Sequence, residues 1–240
     1  MSKPFLSAAW KKLVLANYAV DPALLRHYLP AGLELDSFNG LHYISLVGFM
    51  FRDTTVLGMK IPFHINFPEV NLRFYVKHHH EGQLKRGVVF ISEIVPKYAV
   101  AFIANKLYKE NYRRMPMRRF ELHTDQQLEI SYQWKFHGHW NHITAMADIT
   151  RLPLLHDTEE EFITEHFWGY SKHGKQETTE YQVAHPRWEL YPVNSYSIDC
   201  EFGKLYGERF AFLQQQAPHS VFLAEGSNIM VYPKKVIRNQ

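Results

Sequence analysis

Phe67-Pro68-Glu69-Val70-Asn71-Leu72-Arg73-Phe74-Tyr75-Val76 changes character from one residue to the next. Phe67, Glu69, Asn71, Arg73 and Tyr75 share one parity, while Val70, Leu72, Phe74 and Val76 share the other. Successive side chains of a strand point to opposite faces, so the stretch predicts a two-faced β-strand. One face is apolar throughout. The other sets a carboxylate, an amide and a guanidinium in a row, at steps of about 6.6 Å for a rise of ~3.3 Å per residue. Two readings of that row are open. A half-buried antiparallel strand shows such a face to water. If the face is internal, Glu69 and Arg73 must pair or engage a ligand, because an unpaired buried charge is strongly unfavourable. An anionic ligand suits Arg73, and the flanking Phe67 and Tyr75 suit the walls of a cavity.

Working outward, residues 86–95 predict a further strand, and Pro96 opens a helical stretch through Tyr108 with Ala99, Phe102, Ile103 and Leu107 on its apolar stripe. Residues 41–51 are apolar at both parities, which predicts a strand covered on both faces, with a loop over residues 53–60. Residues 127–136 alternate cleanly. Gly138 then offers a turn into residues 143–150, giving a hairpin with one wet face. Asp21-Pro22 caps a short packing helix, and the acidic run Asp157-Thr158-Glu159-Glu160-Glu161 starts another. Residues 199–214 read as mixed and residues 221–232 as a closing strand. Strands outnumber helices and are mostly sequential. The expected fold is therefore α+β: a mostly antiparallel curled sheet or barrel with a few packed helices, formed by residues 1–240 as one domain.

Composition narrows the function classes. The net charge is only +3 from 27 basic and 24 acidic groups, with no long basic block, so no nucleic-acid partner is expected. The clusters Arg113, Arg114, Arg118, Arg119 and Lys234, Lys235 read as solvated surface. No stretch approaches 18 apolar residues and no leader pattern is visible, so a cytoplasmic protein without membrane contact is expected. Cys200 is the one cysteine. Flanked by Asp199 and Glu201, which would raise its pKa, it reads as structural. P-loop, G-x-G-x-x-G, G-x-S-x-G and H-E-x-x-H signatures are missing, and no cofactor is expected.

Histidine is abundant, at 15 residues. His78-His79-His80 sits beside Glu81-Gly82 in an apparent hairpin loop, and His137, His139 and His142 surround a turn. Neither set has the spacing of a metal site, so none is assigned. His64, close in sequence to Glu69, is the better pocket candidate. Lys97 follows Pro96 at the expected start of a helix, where the macrodipole disfavours an ammonium. That effect is worth ~0.3 to 1 kcal/mol, whereas activating an amine of pKa ~10.4 near neutrality takes about three units. Burial or a second cation must supply the difference.

The stretch from Tyr18-Ala19-Val20-Asp21-Pro22 through Leu29-Pro30-Ala31-Gly32-Leu33-Glu34-Leu35-Asp36, residues 67–76, and Ala224-Glu225-Gly226-Ser227 together resemble the YqjF-like bacterial family of unknown function. That family looks like a branch of the acetoacetate decarboxylase superfamily. The resemblance implies a curled sheet closing around an internal cavity. In the decarboxylases a lysine forms a Schiff base with a β-keto acid, a neighbouring lysine lowers its pKa, and a strand glutamate lines the pocket. Glu69 stands in a similar strand context, and Glu93-Ile94-Val95-Pro96-Lys97 is similar to the decarboxylases' glutamate, proline and lysine stretch. Here the interval is shorter, and Tyr98 stands where the second lysine belongs. The reading is thus a cavity that binds a small organic anion or keto acid through Arg73 and Asn71, with Phe67, Tyr75 and His64 around it. If it is catalytic, it is a lyase with Lys97 as imine-forming amine and Glu69 as acid/base or orienting group. A non-catalytic sensor or structural protein is the alternative, and a homo-oligomer stays open.

Overall fold

The structure, a computed structural model, describes residues 3–80, 82–97 and 111–238. In chain order the elements are β1 (Leu6–Val20), α1 (Pro22–Arg26), β2 (Glu34–Leu35), β3 (His42–Val56), β4 (Phe67–His80), β5 (Gln83–Val95), β6 (Tyr112–Arg114), β7 (Met117–His123), β8 (Gln127–Phe136) and β9 (His139–Asp148). There follow α2 (Glu159–Thr164), β10 (Trp168–Lys172), β11 (Glu177–Ala184), β12 (Leu190–Tyr191), β13 (Val193–Asp199), α3 (Phe202–Tyr206), a 3₁₀ turn (Glu208–Gln214), β14 (Ser220–Val231) and β15 (Lys235–Arg238).

The main sheet runs β12-β14-β1-β3-β4-β5-β10-β11-β15, with β2 added to β4 and β6 to β5. It curls until β11 also meets β14, where Val183 faces Val231 and Ala184 faces Met230. Pairings are antiparallel except β5 with β10 and with β6. A second, antiparallel sheet, β13-β9-β8-β7, packs on its outer face.

Strand β4 sits at the centre, and both its faces are covered. Val70, Leu72, Phe74 and Val76 enter a core shared with Ile130, Tyr132, Trp134 and Ile143 of the second sheet. Phe67 and Tyr75 belong to a separate apolar cluster on the concave side, with Val47, Phe49 and Phe51 of β3. The polar row of β4 therefore faces inward: Glu69 and Asn71 are 2% exposed and Arg73 is 8%.

The helices are short and locally specified. The Asp21 carboxylate accepts from the Ala23 backbone N–H at 2.7 Å to start α1, which buries Leu25. The Thr158 hydroxyl accepts from the Glu161 N–H at 3.3 Å to start α2. Both match the sequence reading, as does the β8–β9 hairpin with Leu128, Ile130, Tyr132 and Trp134 buried.

Five points differ from the sequence reading or fall outside it. Strand β1 was absent from the sequence reading because an inserted residue at Lys12 (φ 54°) switches its phase: Trp10 lies on the concave side before it, Leu13 and Leu15 after it. Strand β3 runs on to Val56, into the expected loop, and His78 to His80 are the end of β4 rather than a loop. Of the arginine cluster, Arg113 is half-buried, donating to the Leu205 carbonyl at 2.6 Å, and Arg119 pairs with Glu121. The helix expected after Pro96 falls almost wholly outside the described residues.

Candidate functional site

The concave face of the curled sheet encloses a pocket of about 170 Å³. Trp10 and Leu13 of β1, Val47, Phe49, Phe51 and Thr54 of β3, and Val88, Phe90 and Glu93 of β5 form much of its wall. Strand β4 supplies Phe67, Glu69, Asn71 and Arg73. Pockets for drug-sized ligands measure roughly 300–1,000 Å³, so this one suits a smaller molecule.

The row along β4 is bonded from within. Asn71 Nδ2 donates to Glu69 Oε1 at 3.0 Å, and the Tyr112 hydroxyl donates to Glu69 Oε2 at 3.1 Å. Burial pushes the Glu69 carboxyl up to about 7, against the hydrogen bonds from Asn71 and Tyr112 and the charge of Arg73, which pull it down. Near neutrality the carboxyl is therefore shared between its acid and its anion. Arg73 donates from Nη2 to the Ile163 carbonyl at 3.3 Å, and its guanidinium lies 5.6 Å from the centre of the Tyr75 ring.

His166, just beyond α2, also lines the pocket. Its ring is 4.7 Å from that of Tyr75. Burial first, and then the cationic charge of Arg73 and Arg86, holds its pKa well below the ordinary histidine range, so the imidazole is neutral. Five residues that line this pocket carry buried polar atoms without a hydrogen-bond partner among the described residues: Trp10 Nε1, Thr54 Oγ1, Asn71 Oδ1, Arg73 Nε and both ring nitrogens of His166. Buried polar groups are ordinarily paired, so this concentration of unpaired ones sets the pocket apart from the rest of the interior.

Of the residues singled out in the sequence, Glu69, Asn71, Arg73, Phe67 and His64 all line the pocket. Phe67 stacks on Phe51 at 4.7 Å, and His64 is half-buried with Nδ1 2.8 Å from the Pro62 carbonyl. Tyr75 is buried but is not among the lining side chains; its hydroxyl bonds with Ser45 Oγ at 2.7 Å and its ring backs His166 and Arg73. Lys97 is half-buried two residues past β5 and is likewise not among the described lining residues. Among the described residues no group of three His, Cys, Asp or Glu is placed to hold a metal ion. His78 instead approaches Glu180 at 3.4 Å, and His139 approaches Asp199 at 3.1 Å. Cys200 is buried, its thiol raised by burial and by Asp199 and Glu201.

Sequence reasoning missed Trp10, Tyr112 and His166. The phase switch in β1 hides Trp10, and Tyr112 reaches Glu69 only because β6 pairs with β5. Glu165-His166-Phe167 carries no periodic signal; its place follows from the path of the chain after α2. Among the described residues, no helix is long and apolar enough to cross a membrane.

The curled sheet has the acetoacetate decarboxylase-like fold. The chain superposes over 98% of its length on 88% of acetoacetate decarboxylase from Legionella pneumophila subsp. pneumophila str. Philadelphia 1, with a TM-score of 0.64 at 14% identity. It also superposes over 98% on 89% of the enduracididine biosynthesis enzyme MppR with HEPES buffer bound, with a TM-score of 0.68 at 11% identity. At such identities the likeness is one of fold. Within that fold, residues 7–228 match DUF2071, and the chain belongs to this family of uncharacterized conserved proteins. Over 84 residues it is 38% identical to the uncharacterized protein YqjF of Bacillus subtilis (strain 168), a match spanning 35% of this chain and 33% of that one.

Proposed function

We propose that the concave pocket binds a small organic anion, with Arg73 as the clamp. One observation carries this reading. Arg73 is 8% exposed, its Nε has no partner, and no ion pair joins it to a carboxylate among the described residues. A buried guanidinium held only by the Ile163 carbonyl, the Tyr75 ring and the charge of a partly neutral Glu69 is better satisfied when an anion reaches it, and its planar fork fits a carboxylate. The neighbouring Glu69 supports the same reading, because a carboxyl held partly neutral repels an incoming anion less.

Calorimetric titration with butyrate and with its neutral analogue butyramide tests this. Butyrate is expected to bind and butyramide not. Arg73→Met is expected to weaken butyrate by about 30-fold or more, since losing one partner of a buried charge pair costs about 2–5 kcal/mol. Equal binding of the acid and the amide, or an Arg73→Met variant as tight as the original, would overturn the reading.

The lyase alternative, an imine at Lys97, draws on the likeness of residues 93–97 to the decarboxylases. Lys97 is not among the described lining residues, so the non-covalent reading is preferred. Borohydride reduction with 3-oxobutyrate followed by peptide mass spectrometry is expected to leave Lys97 unmodified; a reduced adduct there would establish the covalent route instead.

A further inference from the structure

We infer that two copies of this chain associate through the open edge of β7, strand against antiparallel strand, about a two-fold axis at Phe120. Strand β7 ends the second sheet and pairs with β8, so its other edge meets no strand among the described residues. An open edge offers its N–H and C=O groups to another chain, and proteins commonly blunt one with a proline, a bulge or a very short strand. Strand β7 has none of these: Met117–His123 is 7 residues long, lacks proline and pairs with β8 without a register shift. Charged side chains also guard edges, but their spacing here makes them complementary to a second copy.

The hydrogen-bond phase of the β7–β8 hairpin fixes which groups face the open side. The Thr124 N–H donates to the Gln127 carbonyl at 2.9 Å, and the Lys135 N–H donates to the Pro116 carbonyl at 2.9 Å. Hydrogen-bonded pairs alternate along an antiparallel ladder, so the even-numbered residues of β7 bond with β8, while Met117, Arg119, Glu121 and His123 turn their N–H and C=O groups outward. A two-fold axis between two identical edges makes the pairing antiparallel, and these four residues must face one another in it. The register that overlaps the whole strand sets Arg119 opposite Glu121 of the second copy, and Glu121 opposite its Arg119. Moving the axis by one residue in either direction centres it on Arg119 or on Glu121 and puts like charges face to face, which is unfavourable.

Side-chain exposure agrees with this axis. Phe120 and Leu122, 50% and 58% exposed, stand on the water side of the second sheet, beside Ser131 and Glu129 of β8. At the axis Phe120 meets Phe120 of the second copy as a non-hydrogen-bonded pair, where Cα atoms come within about 4.5 Å and the rings cover each other. Leu122 lies opposite Arg118 of the second copy and covers its aliphatic stem, while that guanidinium stays over the Trp140 ring at 4.1 Å. Arg119 already pairs with Glu121 of its own strand, so the second copy adds a charge partner to groups that are held in place.

Sedimentation of the full chain over a rising concentration series is expected to show a reversible monomer–dimer equilibrium. Phe120→Glu should weaken the dimer roughly tenfold, since it removes the ring pair and sets two carboxylates face to face. Phe120→Cys should join two chains by a disulfide under mild oxidation, because cysteines bridge Cα separations of about 4.4–6.8 Å. Leu122→Cys is the control, at a position no less exposed. Its counterpart in the second copy is four residues out of register, about 13 Å away at ~3.3 Å per residue, so it should cross-link at least about tenfold more slowly. Cys200 is buried and stays out of the reaction. Phe120 and Leu122 lie outside the core, so these variants fold. A chain that stays monomeric throughout the series, equal cross-linking at the two positions, a dimer indifferent to Phe120→Glu, or open-ended assemblies in place of a dimer would each overturn the inference.

Discussion

Glu69→Gln is expected to stabilise the protein at pH 8 relative to its effect at pH 4.5 by about 3 kcal/mol. The direction follows from a folded-state pKa raised by burial to about 7 from an ordinary value of 4.5. Below pH 4.5 the carboxyl is protonated in both folded and unfolded chains, and its contribution to stability is fully present. Between pH 4.5 and 7 the unfolded chain ionises while the folded chain resists, so stability is lost as the pH rises through the folded pKa. Glutamine does not titrate and removes that loss. His166 works in the opposite sense: its depressed pKa gives stability that is present above the ordinary histidine value and fades as pH falls, and it is the same in both proteins. Urea denaturation of the two proteins at pH 4.5, 6 and 8 isolates Glu69, because only the difference between them is read. A difference that stays constant with pH would show that Glu69 is not held neutral.

Gly226→Ala is expected to cost about 2–5 kcal/mol and to damage the pocket wall. Gly226 has φ 78°, and a Cβ placed there would lie 2.0 Å from the Trp10 carbonyl oxygen and 2.8 Å from Leu13 Cδ1. Left-handed backbone costs a residue with a Cβ roughly 1–2 kcal/mol, and overpacking a filled site adds about 1–3. The strand pairing cannot give way easily here. Gly226 faces Lys11 across the β1–β14 ladder, and the adjacent Glu225 anchors Lys11 at 3.2 Å and Lys12 at 2.6 Å. Burial pushes Glu225 up, but hydrogen bonds from Lys12 and Tyr191 and the charge of Lys12 outweigh it and hold its pKa at about 2. Gly58→Ala is the control: its φ is 80° but nothing lies within 4 Å, so only the backbone cost of about 1–2 kcal/mol should appear. Thermal or urea unfolding of the two variants compares them directly. Equal losses would mean that the contact with Trp10 yields at little cost.

Gly226 also shows what residue pattern conveys. Ala224-Glu225-Gly226-Ser227 was legible as a familiar motif, and the structure supplies its reason: a glycine under a carbonyl, beside a glutamate that ties down the inserted Lys12. The same inserted residue made β1 unreadable. Alternation identifies a strand only while its phase holds, and β1 changes phase at Lys12. Strand β5 does so as well, with Val88 and Phe90 on the concave side before the shift opposite Leu72 and Arg73, and Glu93 and Val95 after it.

The sequence by itself determined the two-faced β4, the caps of α1 and α2, the β8–β9 hairpin and the identity of the polar row Glu69, Asn71 and Arg73. These are local matters, set by period and by side-chain chemistry within a few residues. Only the tertiary structure decided which way that row faces. Alternation is the same for a wet face and for a pocket wall; the curl of the sheet until β11 meets β14, and the second sheet covering Val70, Leu72 and Phe74, turn the row inward. The same long-range packing brings His166 and Tyr112, far from β4 in sequence, to Arg73 and Glu69, and there burial raises the Glu69 carboxyl and lowers the His166 imidazole.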